Sequence, residues 1–474
     1  MDSGKTQVDA CFGEILVTAE KLEWTIKHGE KALKPSRRPT NLLMCYKKNT
    51  VRYEPLGVVA ACVSWNYPFH NFISPVISAL FTGNAIVVKP SEQTSWSAGH
   101  FLKLIQGSLI ACGHSPELVQ SIVCLPETAD HLTSHSGLSH ITFIGSRDVA
   151  FKVCNSAARA LTPVTVELGG KDPAIVHNDA ITLRSLEDVC AILMRGTFQS
   201  AGQNCIGIER IIALPLAYDK IIQIVEPKIE AMKLGSITLA DGALDMGAMI
   251  SDRSFDCLET LIAAAVKQGA KLHCGGHRFK HDLYPKGHYF EPTLISNVDA
   301  DMEIAQIELF APVFLLMRAT DAKEAVRIAN RTSYGLGASV FCHDPMAKEY
   351  YVRRIQCGML AINDFGAYYA CSLPFGGVKG SGYGRFGGEE GLRGLCNLKA
   401  VCEDAWWAKL LGMQTKIPPQ LQYPIKDGTN AWQMCKGVVE TGYAVSLQGR
   451  VQGIAKLFGA MLHKGMRQPR YVES

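Results

Sequence analysis

The sequence contains no run of about 18 or more apolar residues, so no segment is predicted to cross a bilayer. Its first ten residues lack the basic-then-apolar pattern of a secretory signal peptide. The net charge of +4 on 474 residues is too small to indicate nucleic-acid binding. Hydrophobic residues make up 47% and charged residues 19%, which suffices for sizeable cores in two or three domains. These features favour a globular protein of the cytoplasm.

The sequence also has no CxxC pair and no HExxH motif, which are common signatures of zinc and thiol redox sites. The sixteen cysteines are scattered, and no two stand closer than Cys396 and Cys402. Scattered thiols in a large chain are typical of small buried apolar side chains in a reducing compartment. We therefore predict no metal site.

Two glycine motifs match nucleotide-binding loops only by their letters. Residues 3–6 (SGKT) end like a phosphate loop, but the first glycine of that motif is absent and no strand can precede it. Residues 382–387 match GxGxxG, but no strand leads into them and no βαβ unit surrounds them. Neither segment is predicted to bind a nucleotide.

Short β-rich apolar runs alternate with longer helical patterns, which is typical of βαβ units and a mostly parallel sheet. The first series predicts strands at residues 56–63, 85–89, 119–124, 140–144 and 164–167. A second series predicts strands at residues 208–214, 313–317, 337–341 and 359–363. The helical patterns include residues 66–81, 95–112, 146–160, 253–268 and 321–330. The sequence thus predicts two successive α/β domains.

Residues 405–474 differ from the rest of the chain in charge. They contain nine Lys and Arg against three Asp and Glu, a net charge of +6, so the body is near −2. After an extended proline-containing linker, one apolar stripe recurs at helical spacing with basic residues around it: Leu447, Val451, Ile454, Phe458 and Met461, with Arg450, Lys456 and Lys464. This amphipathic helix is expected to dock on its own protein or on a second subunit; the alternative is a membrane surface.

Three residues in the body have the chemistry for acyl transfer. Cys205 ends the segment FQSAGQNC, Glu167 stands 38 residues earlier at the end of a predicted strand, and Asn66 follows the first predicted strand. A nucleophile, a carboxylate base and a neutral hydrogen-bond donor are the minimum set for a reaction through a thioester. Taken alone, such a cysteine is more often a buried structural thiol, and the spacing does not establish that the three residues meet.

Seven motifs in order within residues 13–404 carry a resemblance to the aldehyde dehydrogenase superfamily. They are SWNYPFHN (64–71), KPSE (89–92), FIGS (143–146), VELGGK (166–171), FQSAGQNC (198–205), ELFAPV (308–313) and PFGGVKGSGYGR (374–385). The variants FQSAGQNC, AINDF (361–365) and SGYGRF, with the tail IPPQLQYP, are similar to the plant family 22 branch and its fungal relatives. The resemblance implies an α/β, aldehyde dehydrogenase-like fold with a Rossmann-type cofactor domain, an α/β catalytic domain and a β oligomerisation arm.

The resemblance also implies a division of the chain. Residues 1–169 would form the NAD-binding domain, with an oligomerisation hairpin at about residues 37–55, and residues 170–377 would form the catalytic domain. Residues 378–404 would return to the cofactor domain and add an oligomerisation strand near residues 397–403, before the basic tail of residues 405–474. We therefore expect a homodimer or a dimer of dimers.

By the same resemblance, the chain is expected to be an NAD(P)-dependent aldehyde dehydrogenase that oxidises an aldehyde to a carboxylic acid. Cys205 would attack the aldehyde and form a thioester, its thiolate favoured by a nearby helix end or by cofactor charge. Asn66 and the Cys205 backbone N–H would hold the oxyanion, and Glu167 would activate the hydrolytic water. The substrate entrance is expected at Tyr67, His70 and residues 365–369.

The resemblance places eight residues around the cofactor: Trp65, Lys89, Glu92, Gly145, Ser146, Leu168, Glu308 and Phe310. Lys89 and Glu92 would hold the adenosine ribose, and Glu92 favours NAD over NADP because a carboxylate repels a 2′-phosphate. The pair at 145–146 would open a helix beneath the pyrophosphate. Glu308 would bind the nicotinamide ribose, with Phe310 beside the ring.

The same comparison indicates that Asn66 lies much nearer the first residue than its counterpart in typical members. The opening helices of the cofactor domain, and the N-terminal anchor of plant relatives, would then be absent. We expect the apolar face of the sheet to be exposed and the fold to be marginal. The alternative function is a catalytically impaired protein that binds the cofactor or a membrane surface. The alternative location is an endomembrane, as in full-length relatives.

Overall fold

The structure, a computed structural model, describes residues 2–41, 44–180, 186–236, 244–366 and 370–462. The chain forms two compact units. The larger unit takes in residues 1–34 and 53–397, and the smaller one takes in residues 35–52 and 398–474.

The strands of the described chain, in order, are β1 (Ser36–Arg38), β2 (Lys47–Pro55), β3 (Val58–Cys62), β4 (Ala85–Lys89), β5 (Val119–Ser121), β6 (His140–Ile144), β7 (Val164–Glu167), β8 (Asp172–Val176), β9 (Ile208–Ala213), β10 (Lys271–Cys274), β11 (Arg278–Phe279), β12 (Tyr289–Phe290), β13 (Thr293–Ser296), β14 (Val313–Arg318), β15 (Gly337–Phe341), β16 (Met359–Ile362), β17 (Gly382–Tyr383) and β18 (Cys396–Asp404).

The α-helices are α1 (Gln7–Ala10), α2 (Val17–Ala32), α3 (Pro68–Phe81), α4 (Ser95–Ala111), α5 (Ala129–Thr133), α6 (Arg147–Ala158), α7 (Leu186–Phe198), α8 (Pro215–Glu230), α9 (Phe255–Lys267), α10 (Ala322–Asn330), α11 (Pro345–Arg354), α12 (Gly388–Arg393), α13 (Trp406–Leu410), α14 (Gly428–Tyr443) and α15 (Leu447–Leu462). A π-helical turn, Cys11–Leu16, joins α1 to α2.

The first sheet of the larger unit has the strand order β17-β7-β6-β3-β4-β5 and is parallel except for β17. Alternate residues of β3 enter different apolar clusters. Val59 and Ala61 pack with Phe72 of α3, whereas Ala60 packs with Val153 of α6. Fully burying a side chain such as Phe72 stabilises the fold by about 1.5–3 kcal/mol.

Helices therefore cover both faces of this sheet, and the expectation of an exposed apolar sheet face was wrong. The apolar side chains that are exposed lie mainly on the outer surfaces of helices instead. They include Phe12, Ile15, Leu22, Ile26, Trp96, Leu104 and Ile110.

The second sheet has the order β10-β13-β14-β9-β8-β15-β16 and is parallel except for β10. Every residue of β8 and β9 is buried, as expected for central strands that are covered on both faces. The main apolar cluster of the protein surrounds this sheet and includes Leu193 of α7, Ile211 of β9 and Phe314 of β14.

The predicted strands and helices of both sheets are confirmed, with ends that differ by no more than three residues. Strands β8, β10, β13 and β17 of the two sheets, and helices α2, α8, α11 and α14, were not predicted. Strand β8 begins with Asp172 and Pro173, two residues that are depleted in strands, so its sequence is a weak strand pattern.

The smaller unit contains a three-stranded sheet of order β1-β2-β18. Strand β1 pairs antiparallel with β2, with Ser36 opposite Val51. The predicted hairpin and the predicted late strand thus belong to one sheet. Its role in joining subunits stays a prediction.

Helices α14 and α15 of the smaller unit pack on each other through small residues. An added Cβ on Gly453 would lie 2.4 Å from the Thr441 nitrogen, so the two backbones approach closely. The amphipathic helix α15 therefore docks within its own unit, but not through its apolar stripe: Leu447, Val451, Ile454, Phe458 and Met461 are 42–79% exposed. Lys464 lies outside the described residues. No helix in the described part of the chain is long and apolar enough to span a membrane.

Candidate active site

The predicted site residues follow the carboxyl ends of neighbouring parallel strands in the first sheet. Asn66 comes after β3, Lys89 ends β4, Ser146 comes after β6, and Glu167 ends β7. Carboxyl ends of parallel strands lie at one edge of a sheet, which is where open α/β folds bind ligands. The topology therefore brings these residues to one edge.

A strained turn carries Cys205 to the same place. Ser200 and Ala201 have φ angles of 56° and 55°, which non-glycine residues rarely adopt, and Gly202 follows at 75°. An added Cβ on Gly202 would lie 2.2 Å from the Ala311 oxygen. Strain of this kind costs on the order of 1–3 kcal/mol per residue and persists only where surrounding contacts enforce it.

Cys205 and Glu167 form the centre of the site, because both line one cavity and the Cys205 thiol lies close enough to the Glu167 carboxyl group for each to shift the pKa of the other. Glu167 is only 2% exposed, and burial raises its pKa to about 7. Burial, followed by the nearby Glu167 and Glu308 carboxylates, raises the pKa of Cys205 well above its usual value. That a helix end or the cofactor charge favours the thiolate stays a prediction.

Asn66 is held by hydrogen bonds that fix the orientation of its amide group. Its Oδ1 accepts from the Ser64 hydroxyl at 2.6 Å and from Asn71 Nδ2 at 3.4 Å. Its Nδ2 donates to the Gln203 carbonyl oxygen at 3.2 Å, two residues before Cys205. The amide N–H groups therefore lie on the side of the nucleophile, as an oxyanion donor requires.

A buried ion pair near the start of the chain supports this region, and sequence reasoning missed it. Lys5 Nζ lies 2.7 Å from Glu14 Oε1, and both side chains are about 95% buried, with exposures of 4% and 5%. Glu14 Oε2 accepts from the Phe69 N–H at 2.6 Å, in the first turn of α3. Lys5 also lies over the Tyr67 ring, 3.7 Å from its centroid. The pair thus anchors the segment that follows Asn66.

Asp9 anchors the other side of the site. Its Oδ2 accepts from the Ser200 N–H at 3.1 Å, and its Oδ1 lies 2.8 Å from Arg195 of α7. The Tyr67 hydroxyl lies 3.2 Å from Gln199 Nε2. These contacts hold the strained turn before Cys205. The SGKT letters at residues 3–6 thus belong to a supporting segment, in which Lys5 pairs with a carboxylate.

Glu308 and Phe310 are placed by a second buried ion pair. Glu209, whose Oε2 lies 2.7 Å from Lys171 Nζ, accepts from the backbone N–H groups of Leu309 and Phe310 at 2.9–3.1 Å. Glu308 Oε1 accepts from the Gly170 N–H at 3.2 Å. This contact places Glu308 against the glycine turn that follows Glu167.

Phe310 meets the residues that follow β3. Its ring lies 5.7 Å from the Trp65 ring, edge to face. Gly169 has φ 75°, and an added Cβ there would lie 2.2 Å from Glu308 Oε1. A side chain at 169 would therefore push Glu308 away from the turn.

The start of helix α6 has the features of an anion-binding helix end. Ser146 precedes the helix, and its side chain makes no capping hydrogen bond. The first N–H groups of a helix have no partner within the helix and favour a bound anion. An added Cβ on Gly145 would lie 2.8 Å from the Phe143 ring, so there is no room for a side chain at this position. These residues fit a pyrophosphate.

Lys89 and Glu92 have the chemistry to hold ribose hydroxyls. Lys89 Nζ lies 3.6 Å from Glu92 Oε2, and the Glu92 side chain is 36% exposed, so its carboxylate can accept hydrogen bonds from outside. Leu168, which donates its N–H to the Ser381 oxygen at 3.2 Å, continues the same edge beyond Glu167. The residue types therefore fit a nicotinamide dinucleotide.

A cavity of about 330 Å³ contains the reacting groups. Its lining includes Cys205, Glu167, Tyr67, His70 and Lys21. Tyr67 and His70, which the sequence predicted at the substrate entrance, thus line the cavity. Residues 367–369 of the predicted entrance lie outside the described residues. A volume of this size is within the range of small-molecule sites.

The sequence model described as "Aldehyde dehydrogenase family" matches residues 1–401. An aldehyde dehydrogenase-like protein of Schizosaccharomyces pombe is 55% identical over 442 residues, which cover 93% of this chain and 83% of that relative. A solved aldehyde dehydrogenase of Mycobacterium tuberculosis, complexed with NAD+, is 30% identical, with a TM-score of 0.77 over 84% of this chain and 79% of its own. A solved NADP-dependent enzyme of E. coli is 27% identical, with a TM-score of 0.77 over 85% and 80%.

The chain has two mostly parallel sheets with helices packed on them, and it has a cysteine–carboxylate pair. Together with these matches, these features define an oxidoreductase that acts on aldehydes. The chain belongs to the aldehyde dehydrogenase family. The family and the fold that the seven motifs predicted are therefore confirmed. The plant and fungal branch stays a prediction.

Proposed function

We propose that this protein oxidises an aldehyde to a carboxylic acid with NAD, through a thioester on Cys205. The observation that carries the proposal is the proximity of the Cys205 thiol to the buried Glu167 carboxyl group in one cavity, with the Asn66 amide oriented by its bond to the Gln203 carbonyl oxygen. All three groups are needed for acyl chemistry through sulfur, and Cys205 and Glu167 line one cavity.

The first half of the reaction forms the carbon–sulfur bond. The Cys205 sulfur attacks the aldehyde carbon while its proton passes to Glu167, which is already within hydrogen-bond reach. The carbonyl oxygen becomes an oxyanion that Asn66 Nδ2 stabilises; losing one such donor typically lowers the rate about 10²- to 10³-fold. When bound, the nicotinamide ring supplies the hydride acceptor that turns this adduct into a thioester.

The second half hydrolyses the thioester. Glu167 first loses its acquired proton to solvent and then takes a proton from a water molecule as the water oxygen adds to the acyl carbon. The carbon–sulfur bond then breaks and frees the acid, and Glu167 returns the proton to the departing sulfur, which restores the Cys205 thiol and the Glu167 carboxylate. A carboxyl group with a pKa of about 7 suits this base, because the best general bases titrate near the working pH.

The choice of NAD over NADP rests on Glu92. Solved neighbours include one complexed with NAD+ and one described as NADP dependent, so the family alone leaves both open. The Glu92 carboxylate beside Lys89 would repel a 2′-phosphate. Because the carboxylate is partly exposed, solvent moderates this repulsion.

Glu92→Gln is therefore expected to improve kcat/KM with NADP by about tenfold, the effect of about 1.4 kcal/mol. The KM for NAD should rise, since the neutral amide is a weaker acceptor for ribose hydroxyls. Initial rates with both cofactors at a saturating aldehyde concentration measure the two effects. An unchanged ratio of the kcat/KM values for NAD and NADP would show that Glu92 does not determine the choice of cofactor.

The proposed function is tested by NADH formation with short, long-chain and aromatic aldehydes, with Cys205→Ala as the control. We expect turnover by the native chain and none by the variant. Equal turnover by both would exclude the thioester. No turnover by the native chain, with cofactor binding retained in a fluorescence titration, would favour the alternative of a catalytically impaired cofactor-binding protein.

A further inference from the structure

Three lysines of the larger unit are buried, and one of them differs from the other two. Lys5 pairs with Glu14 and Lys171 pairs with Glu209, each at 2.7 Å. Lys21 of α2 is only 6% exposed, yet among the described residues its ammonium group has no ion-pair or hydrogen-bond partner. A buried charge without a partner is costly, so proteins rarely keep one that does nothing.

The position of Lys21 indicates which kind of ligand its charge could bind. Among these three lysines only Lys21 lines the cavity that contains Cys205 and Glu167. Four of the five α3 residues in the same lining are polar, namely His70, Asn71, Ser74 and Ser78, whereas Pro75 and much of the lining outside α3 are apolar. Polar groups in a substrate cavity select polar substrates, because an apolar chain would leave them unpaired.

The groups around Lys21 leave its charge uncompensated. The Cys371 thiol and the His70 ring lie near enough to interact electrostatically with Lys21, and neither carries a carboxylate. Burial, and then the charge of Lys21, lowers the pKa of His70 to about 3, so this ring is neutral; its Nδ1 lies 2.9 Å from the Thr18 hydroxyl. The other cation of the lining, Arg385, already donates to the Gly377 and Gly384 carbonyl oxygens.

We propose that Lys21 binds an anionic group at the end of the substrate remote from the carbonyl, so that the preferred substrates are aldehydes with a distal carboxylate or similar anion. This inference rests on the proposed function, since it names the substrate class of the same cavity. The anion would supply the counter-charge that the protein itself lacks at this point.

Matched pairs of aldehydes test the proposal: 4-oxobutanoate with butanal, 5-oxopentanoate with pentanal, and 6-oxohexanoate with hexanal. In at least one pair the native enzyme should show a KM for the acid about 10- to 100-fold lower than for the neutral aldehyde, the range expected for a hydrogen bond to a charged group. Lys21→Met should remove this difference by raising the KM of the acid. The KM of the neutral aldehyde and both kcat values should change little.

Two further variants separate charge from structure. Lys21→Arg keeps the positive charge and should keep much of the preference for the acid. Lys27→Met removes an exposed lysine from the same helix and should behave like the native enzyme. Equal KM values for acid and neutral aldehydes in the native enzyme would overturn the proposal, as would an equal loss of both activities in Lys21→Met.

A binding measurement keeps the proposal testable if no aldehyde is oxidised. The alcohol 5-hydroxypentanoate, compared with 1-pentanol, carries the anion without a reactive carbonyl. It should raise the melting temperature of the native protein and leave that of Lys21→Met unchanged. If no aldehyde is oxidised but 5-hydroxypentanoate still stabilises the native protein through Lys21, the proposed function is rejected and the anion site is retained. No Lys21-dependent stabilisation, together with no preference for acids, would reject the substrate class.

Discussion

Glu167→Gln is expected to lower kcat by about 10²- to 10⁴-fold, the range for a lost general base. Glutamine has the shape of glutamate but cannot take the proton of Cys205 or of the hydrolytic water. Both halves of the reaction should slow, so the first turnover should be slow as well as the steady state. Stopped-flow measurement of NADH formation distinguishes the two phases.

The pH dependence of the native enzyme provides a second test of the same base. Burial raises the pKa of Glu167 to about 7, and the base is the ionised form. Activity should therefore be low below about pH 7, where the carboxyl group is protonated, and should rise through about pH 7 as the group loses its proton. The rising limb should be absent in Glu167→Gln, whose melting temperature should not decrease because the variant removes a buried charge. A fast first turnover in the variant would restrict Glu167 to the hydrolytic step.

Glu14→Ala is expected to lower the free energy of unfolding by about 3–5 kcal/mol, the range for breaking a buried ion pair. The change leaves the Lys5 ammonium buried without its carboxylate and leaves the Phe69 N–H without its acceptor. Burial already lowers the pKa of Lys5 despite the adjacent carboxylate. The variant should also lose activity, since the segment after Asn66 loses its anchor.

Urea unfolding, followed by tryptophan fluorescence, measures this loss. A chain of two units need not unfold in one step, so the first transition is compared between variants. The double variant Lys5→Met with Glu14→Leu is the control, because apolar residues of similar size often replace a buried pair at little cost. A loss below about 1 kcal/mol in Glu14→Ala would mean that the pair is not a major support.

The sequence predicted most strands of the two sheets well because they leave local patterns. Strands β4 and β6 are short apolar runs between helical segments, and their bounds were predicted without error. Cys205, Glu167 and Asn66 each stand in a distinctive motif, and the structure brings these motifs to one site. Periodicity and motif order were sufficient here.

The supporting charges could not be predicted in the same way. Glu14 and Lys21 lie in helical segments, where charged residues are usually on the solvated side, and Lys5 lies just before the first of these segments. Their burial depends on packing against α3, which is distant in sequence, so no local spacing indicates it. The apolar stripe of α15 shows the converse: its periodicity predicted a helix correctly, but small residues on another face form the contact with α14.

The environment of Cys205 also has a consequence for oxidative damage. Peroxides and alkylating reagents react with the thiolate, and burial, together with the nearby Glu167 carboxyl group, raises the pKa of the Cys205 thiol. Several other cysteines of the described chain are exposed to solvent, including Cys11, Cys112, Cys257, Cys402 and Cys435. In a mildly oxidising environment, the number of free thiols would therefore fall well before the catalytic cysteine is lost.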